Sequence, residues 1–388
     1  MDYDFQSSYT LLPQSPLLHF QHDNAGATLR ASEVKPKLDR YLIRLAEAKG
    51  NPIPEDCFNP KHPDSLDYKL GFEALEPGES ITVGQNENRM KKASYEMYYG
   101  NTGLDEERHI RGIMCKTRMT VTCFHPELMS RIKNNLPVFF FVTNFGRMQS
   151  KGFGSFVVER RAITRPGEVA AALKTEYGCA KCYRFAIPGR PENRELFTCI
   201  KTVYSIMKAG IKYPITVPSL LESYMKSRCK PGLGNEKEWM YDEGLAPRRK
   251  KASFQKSPVL PMKKRYVRAV LGVGDHIDFM NVKTKVSIAN RSGEIERFPS
   301  PVFFKVVDGV VYFVGTKIDK RIFGQEFLFQ SNNGRKGVLS VPREDELPAD
   351  FMDSFMEYCC TELNKGVLRS PAFKKQPALF NLRIEEVK

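Results

Sequence analysis

Residues 144–155, NFGRMQSKGFGS, constrain the fold more than any other stretch of the chain. Glycines at 146, 152 and 154 let the backbone take positive φ and let another segment or a ligand approach closely. Apolar runs flank the stretch, PVFFFV before it and FVV after it. A tight loop between two buried elements is therefore required. Arg147, Gln149, Ser150 and Lys151 place cations and hydrogen-bond donors among the glycines. Backbone N–H groups combined with cations suit oxyanions, phosphate first. Phe145 and Phe153 either stack on bases or anchor the loop. The spacing is not a Walker loop, because no G-K-[S/T] follows four variable residues. It is not the dinucleotide fingerprint either, since the pattern after it reads as strand rather than helix. The plain alternative is a glycine turn with incidental charge.

Periodicity on both sides predicts mixed α and β structure. Residues 9–20 are apolar and β-prone, broken by Pro13 and Pro16. Val34, Leu38, Tyr41, Leu42 and Leu45 fall on one helical face, with Ser32 as predicted N-cap and Gly50 as stop. Residues 51–110 read as an irregular insertion with a short strand near 80–83. Residues 113–124 alternate as one strand, 126–133 form a short helix, 137–143 a buried strand, and 153–158 a further strand. Beyond these, 181–187 is a strand and 192–207 a helix. Residues 213–265 read as a basic insertion with a short helix near 219–225. Strands follow at 267–271, 302–307 and 310–314, the last two joined by the hairpin signal Asp308-Gly309. A helix over 347–363 closes the pattern. The predicted fold is α+β: two ferredoxin-like (RRM-like) domains with antiparallel sheets, at 1–165 and 166–388.

The formal charge is +15, which makes a polyanion the leading class of partner. Residues 1–160 carry 20 basic and 20 acidic side chains, so the whole excess lies in the second half. Residues 248–268 alone hold nine basic side chains and no acid. Among them Arg248, Arg249, Lys250, Lys251, Lys263, Lys264 and Arg265 suit a flexible arm on a nucleic-acid backbone. A disordered basic linker is the alternative. The chain has nine cysteines, an odd number in a protein too long to need disulfides, so free thiols and a reducing, cytoplasmic setting are expected. No apolar run is long enough to span a membrane. Cys179-Ala-Lys-Cys182 is a weak zinc candidate that would need Cys199 and Cys229 as further ligands. No cofactor is expected.

The stretch FGRMQSKGFGSF resembles the glycine-rich loop of the RAMP superfamily, the RRM-like proteins of CRISPR effector complexes. Two other segments, in family order, share the resemblance. SPLLHFQHDNAGATLRASEVKPKLDRYL is similar to the family's opening strand, loop and helix start, with Pro36 where glycine is usual. Arg297-Phe298-Pro299-Ser300-Pro301-Val302-Phe303-Phe304-Lys305 is similar to a strand near the C-terminus of some type III members. The likeness is greatest to two-domain, Cmr-type subunits.

The resemblance implies a non-catalytic RNA-binding subunit, with guide RNA, its duplex with target RNA, and other RAMP subunits as partners, and no membrane. Arg147, Lys151 and the amides of Gly146, Gly152 and Gly154 would contact phosphate, with Gln149 and Ser150 beside them. Arg30, Ser32, Lys35, Lys37 and Arg40 would form the neighbouring wall. In the family, subunits that cut RNA use a carboxylate in the first loop. The alternative is therefore an endoribonuclease, either a target-cutting subunit using Asp23 in that place or a guide-processing enzyme with a histidine such as His19 as general base. A further alternative is a basic structural or interaction protein that binds protein partners.

Overall fold

A computed structural model describes residues 5–18, 27–84, 95–96, 110–160, 163, 165–187, 189, 191–211, 216–229, 232–247, 262–279, 284–295, 298–374 and 376–388. The first unit contains β1 (Gln6–Pro13), α1 (Ala31–Ala48), β2 (Lys69–Ala74), β3 (Thr117–Thr122), α2 (Pro126–Val142) and β4 (Phe156–Val158). Its sheet runs β4-β1-β3-β2 with every neighbour antiparallel. After α3 (Pro166–Tyr177), the second unit contains β5 (Cys182–Ala186), α4 (Asn193–Lys208), β6 (Val302–Val307), β7 (Val310–Gly315), α5 (Phe351–Glu362) and β8 (Glu385–Glu386). Its sheet runs β6-β7-β5-β8. In both units the spatial order is fourth, first, third and second strand, the ferredoxin-like arrangement. The sequence reading of tandem ferredoxin-like units therefore agrees with the fold.

Several elements differ from expectation, each for a physical reason. The 113–124 alternation is split into Ile110–Met114 and β3. The first piece joins a separate sheet with Leu17–Leu18, Glu79–Gly84 and Tyr95–Glu96, so one continuous pattern serves two sheets. The expected strand over 137–143 is instead the last part of α2. There Phe139, Phe140, Phe141 and Val142 are all buried, and a helix buried on every side has no apolar stripe to reveal it. The described residues within 51–110 are not all irregular, since they supply β2, an edge strand of the first sheet. The expected strand at 267–271 is a 3-10 turn. Residues 213–265 contain two helices, Leu220–Arg228 and Glu236–Asp242, capped by the Ser219 and Asn235 side chains. A further four-stranded antiparallel sheet, from His276–Phe279 to Lys336–Ser340, has no counterpart in the sequence reading. Helix α1 starts two residues earlier than expected. Arg30 holds the N-cap position with extended backbone and no side-chain bond, so Ser32 is an exposed first-turn residue and not the cap.

The two units share buried surface. One face of the second sheet packs on α4 and α5. The other meets α2 and α3, so Phe303, Val307, Tyr312 and Val314 belong to the first unit's core. Tyr177 and Phe303 rings lie 4.6 Å apart. Lys305, fully buried between them, donates to Phe140 O (2.9 Å), Thr143 O (2.9 Å) and Asn144 Oδ1 (3.2 Å). It thereby caps the last carbonyls of α2 with a cation. The first sheet keeps an open face. In register across β1, β3 and β2 it carries Gln6, Thr122 and Lys69, then Ser8, Thr120 and Gly71, then Thr10, Arg118 and Glu73. Along these strands the face holds hydroxyls and an Arg118–Glu73 ion pair (2.8 Å), and exposed Phe5 and Phe124 stack at 5.4 Å at the end of β1 and β3.

Candidate nucleic-acid interface

The glycine loop between α2 and β4 is the joint of the molecule. Asn144 and Ser155 close its neck, and Phe145 N–H donates to Gly154 O (3.0 Å). Arg147 N–H reaches Leu18 O (2.9 Å), and the Ser15 hydroxyl donates to Gly152 O (2.6 Å). On the other side Phe304 N–H donates to Ser150 O (3.1 Å), Asn144 Nδ2 to Phe304 O (2.8 Å), and the Ser155 hydroxyl to Val306 O (2.6 Å). The loop therefore pairs with β6, an edge strand of the second sheet, and covers an edge that would otherwise be open to pairing. Glycine is required at two points. A Cβ at Gly154 would lie 1.9 Å from Phe145 O, and one at Gly146 would lie 2.4 Å from Leu18 O.

The loop's aromatics are anchors. Phe153 is fully buried and stacks on Phe197 at 4.0 Å, and Phe145 is enclosed by Phe139, Phe140 and Phe156. Lys151 is also turned inward. Its residue is 8 % exposed, and its ammonium lies 3.1 Å from the centre of the Tyr204 ring. Burial, helped by nearby Lys208, pushes its pKa well below the usual lysine range. The Gly152 and Gly154 amides already donate, to Gln149 O and Pro16 O.

The half-exposed side of the loop carries Arg147, Gln149 and Ser150. Of this loop, Gln149 and the Gly146 amide face the start of α1. Glu33 Oε1 there accepts from Gly146 N–H (2.7 Å), Lys37 Nζ (3.1 Å) and Gln149 Nε2 (3.4 Å). Lys37 also reaches Asn144 O (3.1 Å) and Gln149 Oε1 (3.0 Å), over the Phe145 ring. Burial lowers the Lys37 pKa, and the Glu33 carboxylate partly offsets this. Arg40 is exposed, and Arg30 holds one buried guanidinium nitrogen with no acceptor among the described residues. Lys35 points elsewhere, to Asp39 (2.7 Å), the Ser65 hydroxyl and Leu66 O.

Other predicted residues are dispersed. Lys263 and Arg265 pair with Glu346 at 2.6 and 2.8 Å, and Lys264 pairs with Glu238 at 2.6 Å. Burial alone would raise the Glu346 pKa, but hydrogen bonds from Arg265 and Lys263 hold it at about 2. His19 and Asp23 lie outside the described residues, as do Arg248, Arg249, Lys250 and Lys251. The cysteines do not assemble a metal site: among the described residues no group of three or more suitable side chains exists. Burial pushes the Cys179 thiol up to about 11 and the Cys182 thiol up to about 12, which disfavours the thiolates a metal requires. No helix among the described residues is long and apolar enough to cross a membrane. Sequence reasoning did not single out Glu33, Asn144 or Tyr204. The signal for Glu33 was an acid set among four cations of the α1 start.

Two ferredoxin-like units in tandem, locked through a glycine-rich loop that lies against the first helix, define a two-domain RAMP protein. The chain belongs to the Cmr1 family: the Cmr1 N-terminal domain model matches residues 5–211 and the Cmr1 C-terminal domain model matches residues 216–378. It is thus a two-domain, type III Cmr-type subunit. Apo Cmr1 from Pyrococcus furiosus, a crystal structure, aligns with 99% of this chain and 99% of its own at 11% identity and a TM-score of 0.41. No curated sequence matches the chain.

Proposed function

We propose that this subunit holds guide RNA, alone or paired with its target, by contacts to the phosphate backbone and without cutting it, in a CRISPR complex of antiviral defence. The observation that carries the reading is the convergence of the loop's outer side with the start of α1. Gln149 and the Gly146 amide there meet Lys37 and Glu33, with Arg30 and Arg40 on the same helix start and Arg147 and Ser150 half-exposed in the same loop. Backbone contacts position a strand without reading its sequence. The first sheet carries hydroxyls and an ion pair along its open face, with one exposed stacked pair, Phe5 and Phe124, at the end of β1 and β3, and the second sheet is covered on both faces, so the cation-bearing loop side is the better platform for phosphate. In this reading Lys151 is a structural post, and the basic segment 248–251 supplies charge that strengthens binding at any sequence. Incubating the pure chain with guide-length RNA and with a guide–target duplex tests this. Retention of intact RNA is expected. Discrete cleavage that disappears in Asp23→Ala or His19→Ala would overturn the non-catalytic assignment.

A further inference from the structure

Three donors from two separate elements meet at one carboxylate oxygen, that of Glu33. The donors are held independently of it. The Gly146 amide is fixed by a positive φ and by contact with Leu18 O so close that no side chain fits. Lys37 is kept in place by Asn144 O, Gln149 Oε1 and the Phe145 ring. The Gln149 amide also donates to Gly146 O at 2.7 Å, which fixes its orientation. Glu33, by contrast, is held only through this set among the described residues, and its side chain is 25 % exposed. A preorganised group of a backbone N–H, an ammonium and an amide is the equipment of an oxyanion site. Here the anion is supplied by the chain itself.

We propose that Glu33 is the resident occupant of a phosphodiester subsite formed by the Gly146 N–H, Lys37 and Gln149, and that RNA enters this subsite by displacing it. The inference rests on the RNA-binding reading above. The carboxylate is covalently tethered and therefore present at high effective concentration. A free phosphate competes poorly with it. A phosphate on a strand already held at other points competes well. Glu33 thus makes the loop selective for polymeric RNA over small phosphates.

Glu33→Gln keeps the size and one acceptor but removes the charge, and neutral hydrogen bonds are about half as strong as charge-assisted ones. The expected result is about tenfold tighter binding of a fluorescein-labelled single-stranded 20-mer RNA, equivalent to about 1.4 kcal/mol. The gain should vanish in Glu33→Gln/Lys37→Met. In parallel, inorganic phosphate should raise the melting temperature of Glu33→Gln more than that of the wild type. If Glu33→Gln fails to fold, Glu33→Ser, too short to reach Gly146, serves the same comparison. A folded variant that gains neither RNA affinity nor phosphate response overturns the proposal and leaves Glu33 a structural staple. If no form binds RNA while phosphate still stabilises Glu33→Gln preferentially, the subsite stands and the RNA reading falls.

Discussion

Lys305→Met removes one ammonium group from the seam between the two units while keeping most of the side-chain volume. In the native chain that group serves three acceptors, Phe140 O, Thr143 O and Asn144 Oδ1, at 2.9, 2.9 and 3.2 Å, with no exposure to solvent. Each acceptor left buried without a donor costs about 1–3 kcal/mol. Loss of a cation at the C-terminus of α2 adds about 0.3–1 kcal/mol. Relief of burying the charge works in the opposite direction by several kcal/mol. Three orphaned acceptors outweigh that relief, because two of them are helix-end carbonyls that cannot turn to water. The expected net loss is about 2–4 kcal/mol. Urea denaturation followed by far-UV circular dichroism measures it, with Val306→Ala as a control for simple loss of apolar volume on the same strand. A Lys305→Met protein as stable as the wild type, or more so, would refute the reasoning and show that the desolvation cost dominates at this seam.

The glycines of the loop should separate cleanly. Gly154→Ala places a Cβ against Phe145 O and should cost about 3 kcal/mol or more, whereas Gly152→Ala, with nearest neighbours at 3.4 Å, should cost only the positive-φ penalty of about 1–2 kcal/mol. Thermal melts of the two variants check this. Stability should also depend on alkaline pH. Burial, reinforced by Arg268 and opposed by Glu236, holds Lys208 at about 7 when folded, against 10.5 in the open chain. The unfolded state therefore binds more protons in that window, and stability should rise from about pH 7 upward, by at most about 1.4 kcal/mol per pH unit per group. Lys151 shifts in the same direction and adds to the slope. Urea midpoints at pH 7, 8 and 9 should show the rise in the wild type and a flatter profile in Lys208→Met.

The sequence revealed the parts of this molecule whose patterns are local. The β6–β7 hairpin was legible because Asp308-Gly309 sits between two runs of β-branched and aromatic residues. The buried face of α1 was legible because Val34, Leu38, Tyr41 and Leu42 repeat at helical spacing. What stayed hidden depended on distant partners. β2 is an edge strand, half-buried on its inner side, and Lys69-Leu-Gly-Phe-Glu-Ala is too mixed to signal it. Lys305 lies in a strand whose second face is covered by the other unit, which no periodicity announces. In the candidate site, the glycines and Lys37 were legible as residue types. Their arrangement was not, because Glu33 and Gly146 are 113 positions apart. Lys151 shows the same limit from the opposite side: a lysine among glycines reads as a surface cation, but the second unit folds over it.

Binding of RNA through its phosphate backbone is tested most directly by a salt titration. Anisotropy of labelled single-stranded RNA, measured from 50 to 300 mM salt, should give a linear fall of log affinity with log salt, of slope about −0.7 per phosphate neutralised. Replacing Arg248, Arg249, Lys250 and Lys251 by glutamine should weaken binding to all sequences alike and make the slope shallower. Absence of RNA binding at 50 mM salt, or an affinity that does not change with salt, would contradict the account.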